Sequence, residues 1–340
     1  MPVCFPEHAL VALENGAVSF CHYENPRFGG PQPPSWMDPA LLRALVYNAR
    51  ESGVALTFLL GGHQPPTALK RELSRIPHNL IVPWALREIY PGAMLVATSE
   101  DRNEFASLPS NWSRNLVLRA GRRDLPQLAA LFQSLAGKFG RLSLHLTGIE
   151  YFTDTDLETY ACELAAISAS LKRLYTEGER LEVNVLTDRM FLKVRRNCDA
   201  GEKHVTVAPD GRCFICPAFL SENAAPIGCF DPEQGFVTAI PATLAFERAP
   251  LCTRCEAWHC KRCAWLSHKL TGEYNVPSQQ QCRLAHIERE ASRQLLLNLG
   301  RIEPFGRLPR IVELNYDDPL ELIGRDPPVF AVDQSGDPML

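Results

Sequence analysis

The sequence predicts an α/β fold: a partial (β/α)6 barrel, then a small cysteine-rich unit and a C-terminal helix. Three observations predict it. Over the first 190 residues, short apolar runs alternate with helical patterns, the signature of βαβ units on a parallel sheet. Nine of the twelve cysteines then fall within residues 198–282. A final helical pattern, with Ile287, Ala291, Leu295 and Leu296 on one face, follows them. The boundaries are set at 1–190 for the barrel, 191–284 for the cysteine-rich unit, and 285–340 for the helix and a loosely structured tail.

The first apolar run, Leu10–Leu13, is separated from Ala17–Phe20 by the turn signal Glu14-Asn15-Gly16. Residues 38–52 read as a helix, with Asp38 as N-cap and Pro39 in the first turn. Residues 54–60 form a buried strand, 67–75 a short helix, and 79–82, 94–98 and 116–119 further strands. A helix over 125–135 precedes a strand over 142–146. A long helix over 154–175 has leucines and alanines at helical spacing and leads to a strand over 181–186. Right-handed crossovers would partly close this sheet and place a site at the C-terminal strand ends. The residues after each strand are therefore singled out: 21–25, 61–66, 98–100 and 147–151. The tail from Pro304 holds six prolines and packs loosely.

Net charge is −4, which argues against nucleic acid or an anionic membrane as partner. No apolar run is long enough to span a bilayer, and the N-terminus lacks the pattern of a signal peptide. A cytoplasmic location with reduced thiols is expected, and a disulfide scaffold is set aside.

Metal is the usual reason for crowded thiolates in such a chain. The candidate ligands are Cys198, Cys213, Cys216, Cys229, Cys252, Cys255, Cys260, Cys263 and Cys282; Cys4, Cys21 and Cys162 lie elsewhere. Cys252, Cys255, Cys260 and Cys263 form two CxxC pairs four residues apart. Zinc ribbons separate their pairs by about 15–20 residues, so this spacing is closer to that of iron–sulfur proteins. Two [4Fe-4S] clusters or two Cys4 zinc sites would use eight of the nine. The segment is rich in turns and poor in periodicity, as expected of a polypeptide organised by metal.

Cys198, then Gly211 and Cys216, then the CX2CX4CX2C quartet and a last Cys282 together resemble the SPASM domain of radical-SAM peptide-modifying enzymes. Val205-Thr-Val-Ala-Pro-Asp-Gly211 is similar to the small hairpin of that domain. The family quartet is CX2CX5CX3C, one residue longer in two gaps. The resemblance implies two auxiliary clusters. Cys198, Cys216 and Cys263 would hold the first, with Cys213 or Cys229 as its fourth ligand. Cys252, Cys255, Cys260 and Cys282 would hold the second.

Radical-SAM enzymes carry CxxxCxxC after the first barrel strand. Here that loop reads Val18-Ser-Phe-Cys21-His-Tyr-Glu-Asn-Pro26, with one cysteine. The family's GGEP after the second strand is Gly61-Gly62-His63-Gln64-Pro65. The barrel thus resembles a degenerate radical-SAM domain in which S-adenosylmethionine is not expected as cofactor. Residues 19–26, 146–151, 260–266, 277–282 and 286–289 resemble the CXXX repeat peptide maturases.

The resemblance implies a role in maturing a ribosomally synthesised peptide, with catalysis itself left open. The chain would be a non-catalytic partner binding the precursor peptide, an active radical-SAM protein, or both. Its clusters would be structural or relay electrons. Alternatives are a peptide-modifying enzyme with an open cluster iron, and a zinc-stabilised peptide-binding module. Further candidates are Cys21, His22, Tyr23 and His63 as a replacement metal site, and Glu150 and Tyr151 as ligand contacts. Trp258 and His259 are candidates for shielding a cluster. Arg195, Arg196, Lys261 and Arg262 are charges that neutralise a cluster, dock an acidic partner, or simply lie on a solvated face.

Overall fold

The computed structural model describes residues 6–75, 77–190, 198–245, 248–255, 260, 262–300 and 302. Among these residues one sheet has 11 strands. The barrel half comprises β1 (His8–Ala12), α1 (Pro39–Ser52), β2 (Ala55–Leu59), α2 (Thr67–Leu73), β3 (Asn79–Pro83), β4 (Met94–Thr98) and α3 (Arg102–Phe105). It continues with β5 (Ser113–Ala120), α4 (Leu128–Leu135), β6 (Phe139–Leu146), α5 (Asp154–Thr176) and β7 (Glu182–Val183). β1 to β7 pair in parallel and in sequence order. These match the seven strands read from the sequence, one more than a (β/α)6 count.

Local chemistry sets the helices. The Asp38 carboxylate accepts from the Ala40 N–H of α1, Pro39 opens the helix, and Gly53 closes it in the left-handed region at φ 73°. A capping box between Thr153 and Asp156 starts α5. Pro126 breaks the expected helix over 125–135, so residues 122–127 form 3-10 turns and the α-helix begins at Leu128. The last strand is shorter than expected because Thr187 Oγ1 both accepts from the Val183 N–H and donates to its carbonyl, which turns the chain. Asn184 then pairs with both backbone groups of Leu144 through its side chain, at 2.8 and 3.0 Å.

The cysteine-rich segment is more regular than its sequence implied. It holds β8 (His204–Val207), β9 (Arg212–Phe214), α6 (Pro217–Ser221), β10 (Gly228–Asp231), β11 (Gly235–Thr238), α7 (Ala264–Thr271) and α8 (Gln279–Leu299). Phe214, Phe219, Phe230 and Phe236 are buried, so apolar packing organises this segment as well. β8 pairs in parallel with β1, and the barrel sheet continues into β8–β11. A capping box between Ser278 and Gln281 starts α8 before the 284/285 boundary expected from sequence. Tyr160 of α5 donates to Glu288 of α8 at 3.0 Å.

Two apolar layers result. The larger lies between sheet and helices and includes Phe58, Phe105, Phe132, Tyr160 and Leu164. The smaller, inside the curve of the sheet, joins Ala12, Leu59, Ile81, Val96 and Val117 to Ala17 and Val18 of the loop after β1. Among the described residues no helix is long and apolar enough to cross a membrane. The tail from Pro304 lies outside the described residues.

His8 and His204 are cross-strand partners where β1 meets β8, with ring centroids 6.2 Å apart. Burial, then the charge of His8, pushes His204 down to about 4. An unfolded chain takes up this proton near pH 6.5. Stability contributed by neutral His204 is therefore present above that pH and lost as pH falls through about 4. Between pH 7 and 4, the His204→Gln protein is expected to lose less stability than wild type, by at most about 3 kcal/mol. Urea unfolding of both proteins at the two pH values measures the difference.

Candidate metal centre

The loop after β1 lies across the C-terminal strand ends and is bonded to three of them. Val18 N–H donates to Leu60 O beyond β2 at 2.9 Å. His22 Nδ1 lies 2.7 Å from Leu146 O at the end of β6. A carbonyl only accepts, so Nδ1 carries the proton and Nε2 is the acceptor. Burial lowers the His22 pKa, favouring this neutral form. Arg119 at the end of β5 donates to Cys21 O at 3.2 Å and Tyr23 O at 2.7 Å, and pairs with Glu24. Asn25 donates to Asn15 O and Ala17 O, closing the loop on itself.

At this mouth Cys21, His22 and His145 bring ligand atoms within 4.8 Å of one another. The sequence reading placed His63 here and missed His145. The signal for His145 was its position near the C-terminal end of a strand. His63 instead lies 3.7 Å from the buried Glu14 carboxylate. The Glu14 side chain accepts from the Gly61 N–H at 2.6 Å, and burial raises its pKa. Gly61 is required there: an added Cβ would lie 2.4 Å from Gly16 O. Tyr23 is buried and donates to Val18 O at 3.3 Å.

Eight of the nine cysteines group into three sets by shared cavity or mutual charge. Cys198, Cys216 and Cys263 line one cavity of about 910 Å³. The Cys263 thiol lies well above its usual pKa, first through burial, then through the charges of Cys21, Cys198 and Cys216. Cys216 is likewise raised, mainly by burial and then by Cys198. In the second set, burial pushes Cys260 up to about 12, with Arg189 lowering it and Cys252 and Cys255 raising it. Cys282 is buried near the start of α8. The third set is a pair on adjacent strands: buried Cys213 on β9, pushed up to about 12 by burial and then by Cys229 on β10, itself exposed.

Buried thiols with raised pKa values favour the neutral form until a metal stabilises the thiolates, so this donor set fits metal. Beyond Cys21, His22 and His145, no three described His, Cys, Asp or Glu residues bring ligand atoms within 4.8 Å of one another. Tetrahedral zinc, with bonds of about 2.3 Å, would hold its sulfurs about 4 Å apart. Among the described residues, no three of the nine cysteines meet that spacing. By contrast, the loop after β1 does not fit the three-cysteine site of a radical-SAM cluster, since Cys21 is its one thiol.

Arg262 is 3% exposed, which rules out a solvated face for it. Its guanidinium bonds Cys252, lowering the thiol pKa against the larger effect of burial, and donates to Leu244 O at 3.3 Å. Arg195, Arg196, Lys261, Trp258 and His259 lie outside the described residues, as does Cys4. Glu150, with its side chain 14% exposed, pairs with Lys269 of α7 at 3.3 Å and its charge acts on His22, whereas Tyr151 is exposed. Cys162 is exposed on α5.

In sequence, the chain matches no protein-family model and no curated protein. Among solved structures it is similar to anSMEcpe with bound AdoMet, with TM-score 0.56 and 11% identity over 88% of this chain and 96% of that one. It is also similar to anSMEcpe with bound AdoMet and Cp18Cys peptide, with TM-score 0.54 and 10% identity over 87% and 99%. anSME is an anaerobic sulfatase-maturating radical-SAM enzyme with a SPASM domain. Identity this low bears on the fold alone, and that fold is of the radical-SAM type.

Proposed function

We propose that this chain is an iron–sulfur protein that acts in peptide maturation as a non-catalytic partner, binding a precursor peptide, an active radical-SAM enzyme, or both. One observation carries the reading: Cys198, Cys216 and Cys263, the first exposed and the other two half-buried, converge on one cavity beside a radical-SAM-type barrel whose mouth loop has one cysteine. Cys198, Cys216 and Cys263 would hold the first cluster, and Cys252, Cys255, Cys260 and Cys282 the second. When bound, each cluster supplies a one-electron couple and a cross-link between chain segments.

The chain's own residues shape those sites. Arg262 offers a buried donor to Cys252, and Arg189 brings positive charge to Cys260. Both favour the charged, metal-binding form of the thiol. The cavity of about 910 Å³ beside the first site is lined by Leu10, Phe20, Ile81 and Tyr90 together with His8, Asn79 and Asn115. This mixture of apolar walls and a few polar groups suits a peptide side chain. The similar anSMEcpe structure was solved with Cp18Cys peptide bound, which supports a peptide as the ligand class here.

The non-catalytic role is tested by incubating the dithionite-reduced protein with S-adenosylmethionine, with and without a Cys-rich peptide, and assaying for 5′-deoxyadenosine. None above the protein-free control is expected. Its formation would contradict the role and return the chain to the radical enzymes.

A further inference from the structure

Three thiolates leave the first cluster one protein ligand short. Cys213 and Cys229, the two ligands the family resemblance offers, do not line the cavity that Cys198, Cys216 and Cys263 share. The Cys213 Sγ lies 3.9 Å from Gly211 O, and Cys229 is exposed on the neighbouring strand β10, between β9 and β11. Cys21 stands where a fourth ligand is needed. It lines the same cavity as Cys198, Cys216 and Cys263. Its place does not depend on the loop alone, because Arg119 on β5 holds its carbonyl and His22 ties the next residue to the end of β6.

We propose that Cys21 supplies the fourth thiolate of the first cluster, bolting the loop after β1 to the cysteine-rich segment. The inference rests on the reading of that segment as an iron–sulfur unit. A cluster held by four protein thiolates has no open iron, so it would serve structure or electron passage rather than substrate binding.

The same sulfur lies within 4.8 Å of ligand atoms on His22 and His145, which on their own would suit a single divalent ion. The surroundings of the sulfur favour the cluster. Cys21 shares one cavity with Cys198, Cys216 and Cys263, so four thiols converge there against two imidazoles. Arg119, already paired with Glu24 at 2.6 Å, holds the loop in place for either.

The test uses anaerobically purified full-length protein, assayed for iron and acid-labile sulfide and examined by Mössbauer and electron paramagnetic resonance spectroscopy. In Cys21→Ala, one cluster is expected to lose an iron and show a three-iron signal when oxidised, with the other cluster unchanged. Cys21→Ser is expected to keep about eight irons, with the midpoint potential of one cluster displaced downward by the harder oxygen ligand. Cys213→Ala and Cys229→Ala should retain both four-iron spectra. Should Cys21→Ala prove insoluble, the serine variant decides. Cys21 variants whose two clusters match wild type in spectrum and potential would overturn this inference alone. So would a separate bound ion that His145→Ala removes while both clusters stay intact. Wild-type protein without sulfide would overturn the iron–sulfur reading and this inference together.

Discussion

Replacing Cys252 with alanine is expected to remove iron and fold stability in one step. Cys252 begins the quartet and follows a stretch fixed by few long-range hydrogen bonds, such as those of Asn275 to Thr243 O and Ala245 O. Its thiol shares an environment with Cys260 and accepts from Arg262, so truncation also deprives a buried guanidinium of a partner. Ligation free energy is folding free energy where no site exists in the unfolded chain. Loss of about half the bound iron and an unfolding midpoint displaced well below wild type are therefore expected together. Denaturant titration beside iron analysis checks this. A soluble, cooperative, iron-poor variant as stable as wild type would show that metal does not organise this segment.

The second large effect is expected at Glu288. This α8 carboxylate pairs with Arg189, whose side chain is 4% exposed, and accepts from Tyr160 of α5. The charge of Arg189 also lowers the Cys260 thiol pKa. Three regions thus meet at one buried ion pair: the end of the barrel, the last helix and the second thiol set. Glu288→Ala leaves the guanidinium buried without its carboxylate, which costs about 3–5 kcal/mol. Glu288→Gln keeps a hydrogen-bonding group there and should cost less. Urea unfolding of the two variants separates charge loss from packing loss. Equal, small effects would mean that solvent reaches this pair.

Most of the barrel was legible because its signals are local. Asp38-Pro39 before a helix and Thr153 three residues before Asp156 each specify one turn of chain, and the structure uses them so. The strand runs at 54–60 and 94–98 likewise reflect nearly continuous burial, and that at 142–146 an alternation of buried and half-buried positions. Prediction weakened where a contact joins distant residues. His145 meets Cys21 and His22 only after β6 is placed across the barrel from the loop following β1. Arg262 sits between two cysteines in a charged stretch, and nothing within that stretch signals its burial. β8 and β9 were indicated by the hairpin resemblance over 205–211, but β10 and β11, with four residues each, are too short for an alternation to stand out, and the pairing of β8 with the distant β1 has no local signal. The resemblance in cysteine spacing carried the thiol sets further than periodicity could. It did not point to Cys21, which belongs to a different part of the chain.

The central claim is that the described thiols hold two four-iron clusters and that the barrel mouth holds no third. Iron, zinc and acid-labile sulfide content of anaerobically purified protein, with electron paramagnetic resonance after dithionite reduction, tests it most directly. About eight irons with matching sulfide and reduced-cluster signals are expected. Zinc without sulfide, or about twelve irons with a signal perturbed by S-adenosylmethionine, would contradict it.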